Sequence, residues 1–518
     1  MLKKLQNKFF LATCSGAICA LAFAPFHFFA AAIISISTFY FLLDKKSFTV
    51  KQGAILGFCY GFGYFLAGIY WVSISLLVDA EKFAWLIPFA LTLLPSGLAL
   101  YFSALAAFYK KLNHQFHFTE KYQRILLFAL LWIVFEVLRS FLFTGFPWNL
   151  LGYSLMFRDA AIQSASIFGI YGLSFLAILF CLTPVLFIRP VKSDKIFAAI
   201  LLILFGVNFI FGYQRLQNTT ITESDSIKLR LVQGNIEQDL KWNPAQKYRN
   251  FIKHIELTNA VDKANIAAVI WSETAVPYAI DDSAELMREL QKAVPQNGVL
   301  ITGALRVAYK GAPLQSSATL PAQHIVQNVW NSVFTLDKNG VANYYDKHHL
   351  VPFGEYIPFA KFLPFVEKIT GGAEGFGEGE GPQTLAAKEF TFSPLICYEV
   401  IFSDKIIDKN NRPDLLINVT NDAWFGSSSG PFQHFDMAKM RAVEYGISLA
   451  RAANTGITAF IDPLGRIKNS INLNQEGFID VNLINKLDET IFSRFNYLPL
   501  LLVVLAVTGF LLISARKK

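Results

Sequence analysis

Long apolar runs alternate with short basic loops through the first 213 residues, and then the pattern changes. Seven apolar segments fall at about 8–25, 29–43, 53–78, 84–109, 125–144, 160–188 and 196–213, with an eighth at 497–514. Each is near the roughly 20 residues a helix needs to cross a bilayer, the second and eighth being the shortest. Beyond residue 228 the apolar runs shorten and read as strands. Strand candidates are 229–234, 267–271, 299–303, 332–336, 342–345, 390–396, 415–419 and 458–461, with helical stretches at 245–264, 283–294 and 432–453. Strands interleaved with helices over this length predict one α/β domain. The expected organisation is a seven-span membrane domain at 1–213, a polar linker at 214–227, an α/β domain at 228–490, and a last membrane helix with its tail at 491–518.

Composition supports the spans. Of 518 residues, 53% are hydrophobic and only 16% charged, against about 25% charged in soluble domains. The net charge of +8 does not point to nucleic acid, because the basic residues form no stripe on one domain. They cluster between spans instead. Lys3, Lys4 and Lys8 precede the first; Lys45, Lys46 and Lys51 follow the second; Lys110, Lys111, Lys121 and Arg124 follow the fourth; Arg189, Lys192 and Lys195 follow the sixth; Arg516, Lys517 and Lys518 end the chain. The alternate short loops hold only Lys82 and Arg158. The positive-inside rule then predicts cytoplasmic termini and an α/β domain on the outer side of the membrane, which is the periplasm in a Gram-negative cell. A cleaved signal ending near Ala22-Phe23-Ala24 would break this alternation. Glu136 and Arg139, in the fifth span, are either functional or a mutual i,i+3 pair.

The strand candidate FTFSPLI (390–396) ends on Cys397, with Glu399 just beyond. A strand end is a common seat for a reactive side chain, but free cysteine is also among the most buried residue types. Cys14, Cys19, Cys59 and Cys181 fall in predicted spans, which leaves Cys397 alone in the outer domain. On an oxidising side an unpaired thiol is either buried or used. As a nucleophile it would need a base or a cation, and an oxyanion would need positive donors. Glu273 ends the run AAVIWSE, and Lys347 follows Tyr344-Tyr345-Asp346. Three such groups at the ends of apolar strands fit the way an α/β sheet gathers a site. Singly, each has a plainer role: Glu273 as a helix cap, Lys347 as a solvated cation, Cys397 as core.

These residues resemble the Glu-Lys-Cys signature of the nitrilase (carbon-nitrogen hydrolase) superfamily: Trp271-Ser272-Glu273, Lys347 and Leu395-Ile396-Cys397-Tyr398-Glu399. The blocks VQGNIEQDLKW (232–242), HLVPFGEYIP (349–358) and NVTNDAWFG (418–426), set behind seven spans, resemble the apolipoprotein N-acyltransferase family. The resemblance implies an αββα sandwich on a membrane helical bundle. It implies ping-pong acyl transfer, in which Cys397 takes the sn-1 acyl chain of a phospholipid, usually phosphatidylethanolamine, as a thioester. The α-amine of the S-diacylglyceryl cysteine of an apolipoprotein then accepts the chain. Glu273 matches the general base, Lys347 the oxyanion stabiliser, and Glu355 and Glu399 two supporting acids. Trp242, Tyr398 and Trp424 match residues lining the entrance or pocket.

No cofactor or metal is expected, since no Walker A, H-E-x-x-H or paired C-x-x-C occurs. The protein is expected to work as a monomer, on membrane lipid and apolipoproteins. His348-His349 reads as one surface and one packed residue. Gly426-Ser427-Ser428-Ser429-Gly430 fits G-x-S-x-G but sits in a polar loop without the strand and helix of a nucleophile elbow. Trp148, in the loop GFPWNLLGY, reads as an interfacial anchor or as part of a lipid entrance. Residues 360–382 join Phe362, Leu363, Phe365 and Val366 to a glycine-rich acidic run; they read as a lid, or as a surface loop. Two other functions share parts of this pattern: a membrane-tethered amidase with water as acceptor, and a transporter with a solute-binding outer domain. The spans show no paired repeats or midplane breaks of the transporter kind.

Overall fold

The computed structural model describes residues 2–280, 283–309, 326–358 and 375–516. The apolar base of the anticipated lid lies outside the described residues.

Helices occupy all seven apolar runs of the first part: α1 (Leu2–Cys19), α2 (Phe29–Leu43), α3 (Val50–Gly68), α4 (Ile87–Phe116), α5 (Lys121–Phe141), α6 (Ala165–Cys181) and α7 (Lys192–Asn218). Five segments among the described residues are long and apolar enough to cross a bilayer: Ala80–Phe116, Lys121–Thr144, Ala165–Leu186, Lys192–Asn218 and Leu498–Ala515. Val50–Gly68 and Tyr70–Leu77, bent by 47°, make a sixth if taken as one span. Asn7–Ala22 and Phe29–Leu43 are shorter. All eight apolar runs thus hold helices, but only five of them, or six with the bent pair, have the length of a span, short of the eight expected.

The predicted linker is mostly structured. The helix formers of QRLQN carry α7 to Asn218, and β1 (Glu223–Gln233) starts inside the polar run because Glu223 pairs with Ile484 of the last strand. Polarity there marks exposure rather than lack of structure.

The outer domain continues with α8 (Pro244–Asn259), β2 (Ala268–Ile270), β3 (Val276–Ala279), α9 (Ala284–Gln291), β4 (Val299–Tyr309), β5 (Val326–Asp337) and β6 (Gly340–Asp346). Then follow β7 (Leu385–Ala387), β8 (Phe390–Ile396), β9 (Leu415–Thr420), α10 (Gly430–Tyr445), β10 (Ser448–Ala453), β11 (Thr458–Ile461), β12 (Ile467–Ile471) and β13 (Gly477–Ile484), before α11 (Leu498–Arg516). The strands form two mixed sheets, ordered β13-β1-β2-β4-β5-β6, with β3 paired to β4, and β12-β11-β10-β9-β8-β7. Strands β1, β2 and β4 run parallel, as do β8, β9 and β10.

Alternation along the strands builds the layers. Leu229, Leu231, Ile270 and Ile301 meet Phe392, Ile396, Ile417 and Phe460 between the sheets. Val232, Val269 and Leu300 face Phe251 and Ile255 of α8 and Leu290 of α9. Leu395, Leu416 and Leu449 face α10, in a core that runs on into the membrane helices. The result is an α/β sandwich with helices on both faces, and α10, buried at nearly every position, is the floor between sheet and membrane.

One expectation is corrected here. The helix predicted over 432–453 ends at Tyr445, where Gly446 adopts a left-handed φ of +63° and caps it; Ser448–Ala453 is a central, fully buried strand. Leu, Ala and Arg are helix formers, and tertiary pairing overrides that preference. Gly169 interrupts α6 at φ +66°. The amide just beyond it, Ile170 N–H, donates to Glu444 Oε1 of α10 at 2.8 Å.

Candidate active site

Three strand ends converge. Glu273 follows β2, Lys347 follows β6 and Cys397 follows β8. Two of the plainer readings are overturned: Lys347 is fully buried, and Glu273 caps no helix but stands in the loop before β3.

Cys397 opens a short 3-10 turn, Cys397–Ile401, at φ +51°. A non-glycine residue there is strained and must be held by its surroundings. Glu399 does this. Its Oε2 accepts from Ile396 N–H at 2.7 Å, and its Oε1 accepts from His348 N–H at 2.8 Å and Tyr345 O–H at 2.9 Å. The carboxylate therefore ties the cysteine turn to the loop that carries Lys347. Burial raises Glu399, but hydrogen bonds from His348 and the backbone outweigh it and hold the carboxyl below its usual range. His434 of α10 donates from Nε2 to the Cys397 carbonyl at 3.1 Å, backed by Asp422 at 2.9 Å from Nδ1 and by Arg451, which donates to Asp422 at 2.7 Å. Burial pushes the Cys397 thiol well up, and the charge of Glu273 adds to this, while Lys347 opposes it. The resting group is a thiol, and a base must take its proton.

Glu273, the candidate base, is held in a polar network. Glu273 Oε1 accepts from Asn331 Nδ2 at 2.7 Å and lies 3.9 Å from Lys347 Nζ; Oε2 is buried without a partner among the described residues. Lys347 Nζ donates to Glu355 Oε1 at 2.8 Å. Burial lowers the Lys347 ammonium, but Glu355 and Glu273 outweigh it and hold it above its usual range, so it stays charged. Glu355 is fixed in turn by Val351 N–H, which donates to Oε2 at 2.8 Å. Strand β4 passes close beneath Glu273: a Cβ on Gly303 would lie 2.4 Å from Thr274 N and 2.7 Å from Glu273 Cα. Gly303→Ala is expected to displace the base and lower turnover about 10²-fold while the protein still folds. Steady-state kinetics beside a thermal unfolding curve checks this.

A cavity of about 590 Å³ opens over the three residues. Its walls include Tyr398, Trp424, Trp148 and Trp71, and it reaches Leu93 and Leu100 of α4. Tyr398 O–H donates to Gly145 O at 3.1 Å. Trp148 is corrected as an interfacial anchor: it is 1% exposed, and its indole donates to Gln433 Oε1 at 2.7 Å. Trp71 donates to the same oxygen at 3.2 Å, so one amide clamps two indoles on the cavity wall. Trp242, expected at the entrance or pocket, does not line the cavity. It is 42% exposed, because at the end of its helical turn it is Lys241 that points inward.

Glu136 and Arg139 do not bond to each other. Glu136 Oε1 accepts from Trp132 Nε1 and Leu151 N–H, and Arg139 donates to the carbonyls of Phe146 and Trp148. Both hold the 145–151 loop under the cavity. His348 is buried against Glu399, and His349 is half-buried on Phe402. Ser428 donates to Phe425 O at 2.7 Å, and its pentapeptide runs straight into α10. Sequence reasoning missed Asn331, Gln433 and His434. The one signal was a polar residue inside an apolar run, and that does not tell which group it serves.

A base, a cation and a thiol on the strand ends of a two-sheet α/β domain define an enzyme of the carbon-nitrogen hydrolase class, and residues 228–490 match the family profile described as carbon-nitrogen hydrolase. Residues 15–183 match the apolipoprotein N-acyltransferase N-terminal domain. The chain is 41% identical to the apolipoprotein N-acyltransferase of Rickettsia bellii (strain RML369-C), over 94% of each chain. It is 38% identical to that of Rickettsia prowazekii (strain Madrid E), over 95% of each. It is 35% identical to that of Rhodopseudomonas palustris (strain ATCC BAA-98 / CGA009), over 98% of this chain and 95% of the relative. The chain belongs to the apolipoprotein N-acyltransferase family. It is an acyltransferase and a multi-pass membrane protein.

Proposed function

We propose that the protein moves a fatty acyl chain from the sn-1 position of a phospholipid, phosphatidylethanolamine above all, to the α-amine of the N-terminal S-diacylglyceryl cysteine of apolipoproteins. The observation that carries this reading is the cavity. It joins Cys397, Glu273 and Lys347 to Leu93 and Leu100 of α4, which are 65% and 59% exposed on the outside of the helices. An acyl donor resident in a bilayer would meet those leucines. A small amide would need no such apolar approach.

Glu273 takes the Cys397 proton as sulfur attacks the ester carbonyl. The oxyanion forms beside the Lys347 ammonium. Collapse expels the lysophospholipid oxygen, which takes the proton from Glu273 and leaves a thioester on Cys397. In the second half-reaction the amine attacks the thioester carbonyl, gives a proton to Glu273, and expels the thiolate, which takes that proton back. Glu355 and Glu399 position the lysine and the cysteine turn. The apolar wall excludes water, against which the thioester must last.

The domain at 228–490 stands on the periplasmic side of the inner membrane in this reading. The membrane domain at 1–213 and the last helix at 491–518 hold both termini in the cytoplasm, and the protein works as a monomer. A reporter fused near residue 220 is expected to be active only outside the cytoplasm; cytoplasmic activity overturns the orientation. The chemistry is tested by mass spectrometry of the Cys397 peptide after incubation with phospholipid alone. A hydroxylamine-labile fatty acyl adduct is expected. Its absence, with Cys397→Ala still supporting triacylation, would sink the proposal.

A further inference from the structure

A second lysine is buried behind the base. Lys241 closes the turn Gln238–Lys241 between β1 and α8, is 5% exposed, and donates from Nζ to the Glu273 backbone carbonyl at 2.9 Å. A buried ammonium with one neutral acceptor is poorly compensated, and an apolar side chain of similar length would fill the same space without desolvating a charge. What distinguishes a cation there is its field. Glu273 and Glu355 share one ammonium, Lys347, and one amide, Asn331. Two carboxylates on a single cation leave one negative charge uncompensated, and the ammonium of Lys241 behind Glu273 supplies a second positive charge. A base that keeps its proton cannot take one from Cys397.

We propose that Lys241 is a positioning residue of this site: its hydrogen bond fixes Glu273, and its charge offsets the second carboxylate so that Glu273 stays free to accept the thiol proton. The proposal rests on the thiol chemistry argued above. The charged and titratable groups facing Lys241 are Glu273 on the β2–β3 loop, Cys397 at the end of β8 and His254 on α8. Burial lowers Lys241 to about 8, with Glu273 and Cys397 opposing, so it carries its charge at neutral pH. Burial also lowers His254 to about 4, and Lys241 adds to this; the ring is neutral and does not compete with the ammonium.

The test follows alkylation of Cys397 by iodoacetamide against pH in the full-length protein, for wild type, Lys241→Met, Lys241→Gln and Lys241→Arg. Thioester formation from phospholipid is measured alongside. Met and Gln are expected to slow alkylation about tenfold at neutral pH and to move the acid limb of the profile up by about one pH unit, while Arg keeps the wild-type limb. The thermal midpoint of each variant is recorded beside the profile, so that a folding defect is told apart from a shift of the limb. Loss by one factor at every pH, or a wild-type profile, in Met or Gln overturns the proposal. Where the Met variant does not fold, the Gln variant decides on the same profile, because it can still donate in that direction without charge. Alkylation needs no acyl donor. A wild-type protein that forms no thioester therefore counts against the acyl-transfer reading, while the limb comparison still decides the role of Lys241.

Discussion

Cys397→Ser is expected to abolish acyl transfer, lowering turnover by at least about 10⁴-fold, in a protein that keeps its fold. The change replaces one atom. The hydroxyl fits the turn at φ +51°, and the bonds from Glu399 to Ile396 N–H and His348 N–H do not involve the side chain. What changes is acidity and nucleophilicity. Burial and the charge of Glu273 already push the thiol up, so even sulfur reacts only as its proton leaves for the base. A hydroxyl starts as a far weaker acid, in the same buried and negative surroundings. The measurement is single-turnover release of lysophospholipid, with a thermal midpoint for each protein. Turnover within tenfold of wild type would remove Cys397 as the nucleophile.

Much of this site was legible in the sequence because its three principal residues end apolar strands. Glu273, Lys347 and Cys397 each follow a run whose periodicity is local. The fold class was legible for the same reason, and FTFSPLI spans β8 as read. What failed depends on partners far away in the chain. Ser448–Ala453 reads as helix by composition and is a strand because β9 and β11 flank it; Gly446 was the one local sign. Trp148 resembles a membrane-interface residue in any window of sequence, and only Gln433, 285 residues away, shows that its indole is turned inward. Trp242 and Lys241 are adjacent, and the chain buries Lys241 and leaves Trp242 exposed. Which of the two turns inward is settled by the Glu273 carbonyl.

The membrane helices and the sheet are joined chiefly through α10, and its side chains divide the work. Gln433 orients the two indoles of the cavity wall, His434 holds the carbonyl of the nucleophile, and Glu444 takes the amide freed at the Gly169 break. The nucleophile and the apolar cavity are thus referred to one helix. This is a rigid arrangement for a reaction whose first substrate lies in lipid and whose intermediate must avoid water.

Lys347→Met is expected to lower thioester formation about 10⁴-fold, more than the 10²–10³ typical of one lost oxyanion donor. The excess has a cause in the charge arrangement. Lys347 is fully buried, with Glu355 Oε1 at 2.8 Å and Glu273 Oε1 at 3.9 Å. Without the ammonium, two buried carboxylates face each other across Asn331, one holds a proton, and the base is impaired along with the oxyanion site. Stability falls too, by roughly 3–5 kcal/mol, the cost of leaving a buried charge without its partner. Lys347→Arg is not expected to rescue, because a planar guanidinium does not fit a slot built for a compact ammonium. Glu355→Gln separates the two effects. It removes the excess negative charge but leaves Lys347 in place, so in the double variant Glu355→Gln/Lys347→Met much of the lost stability is expected to return while the oxyanion defect of about 10²–10³ remains. Single-turnover acylation of Cys397 and thermal unfolding of the four variants measure both. Acylation of Lys347→Met within tenfold of wild type would show that the oxyanion is stabilised elsewhere.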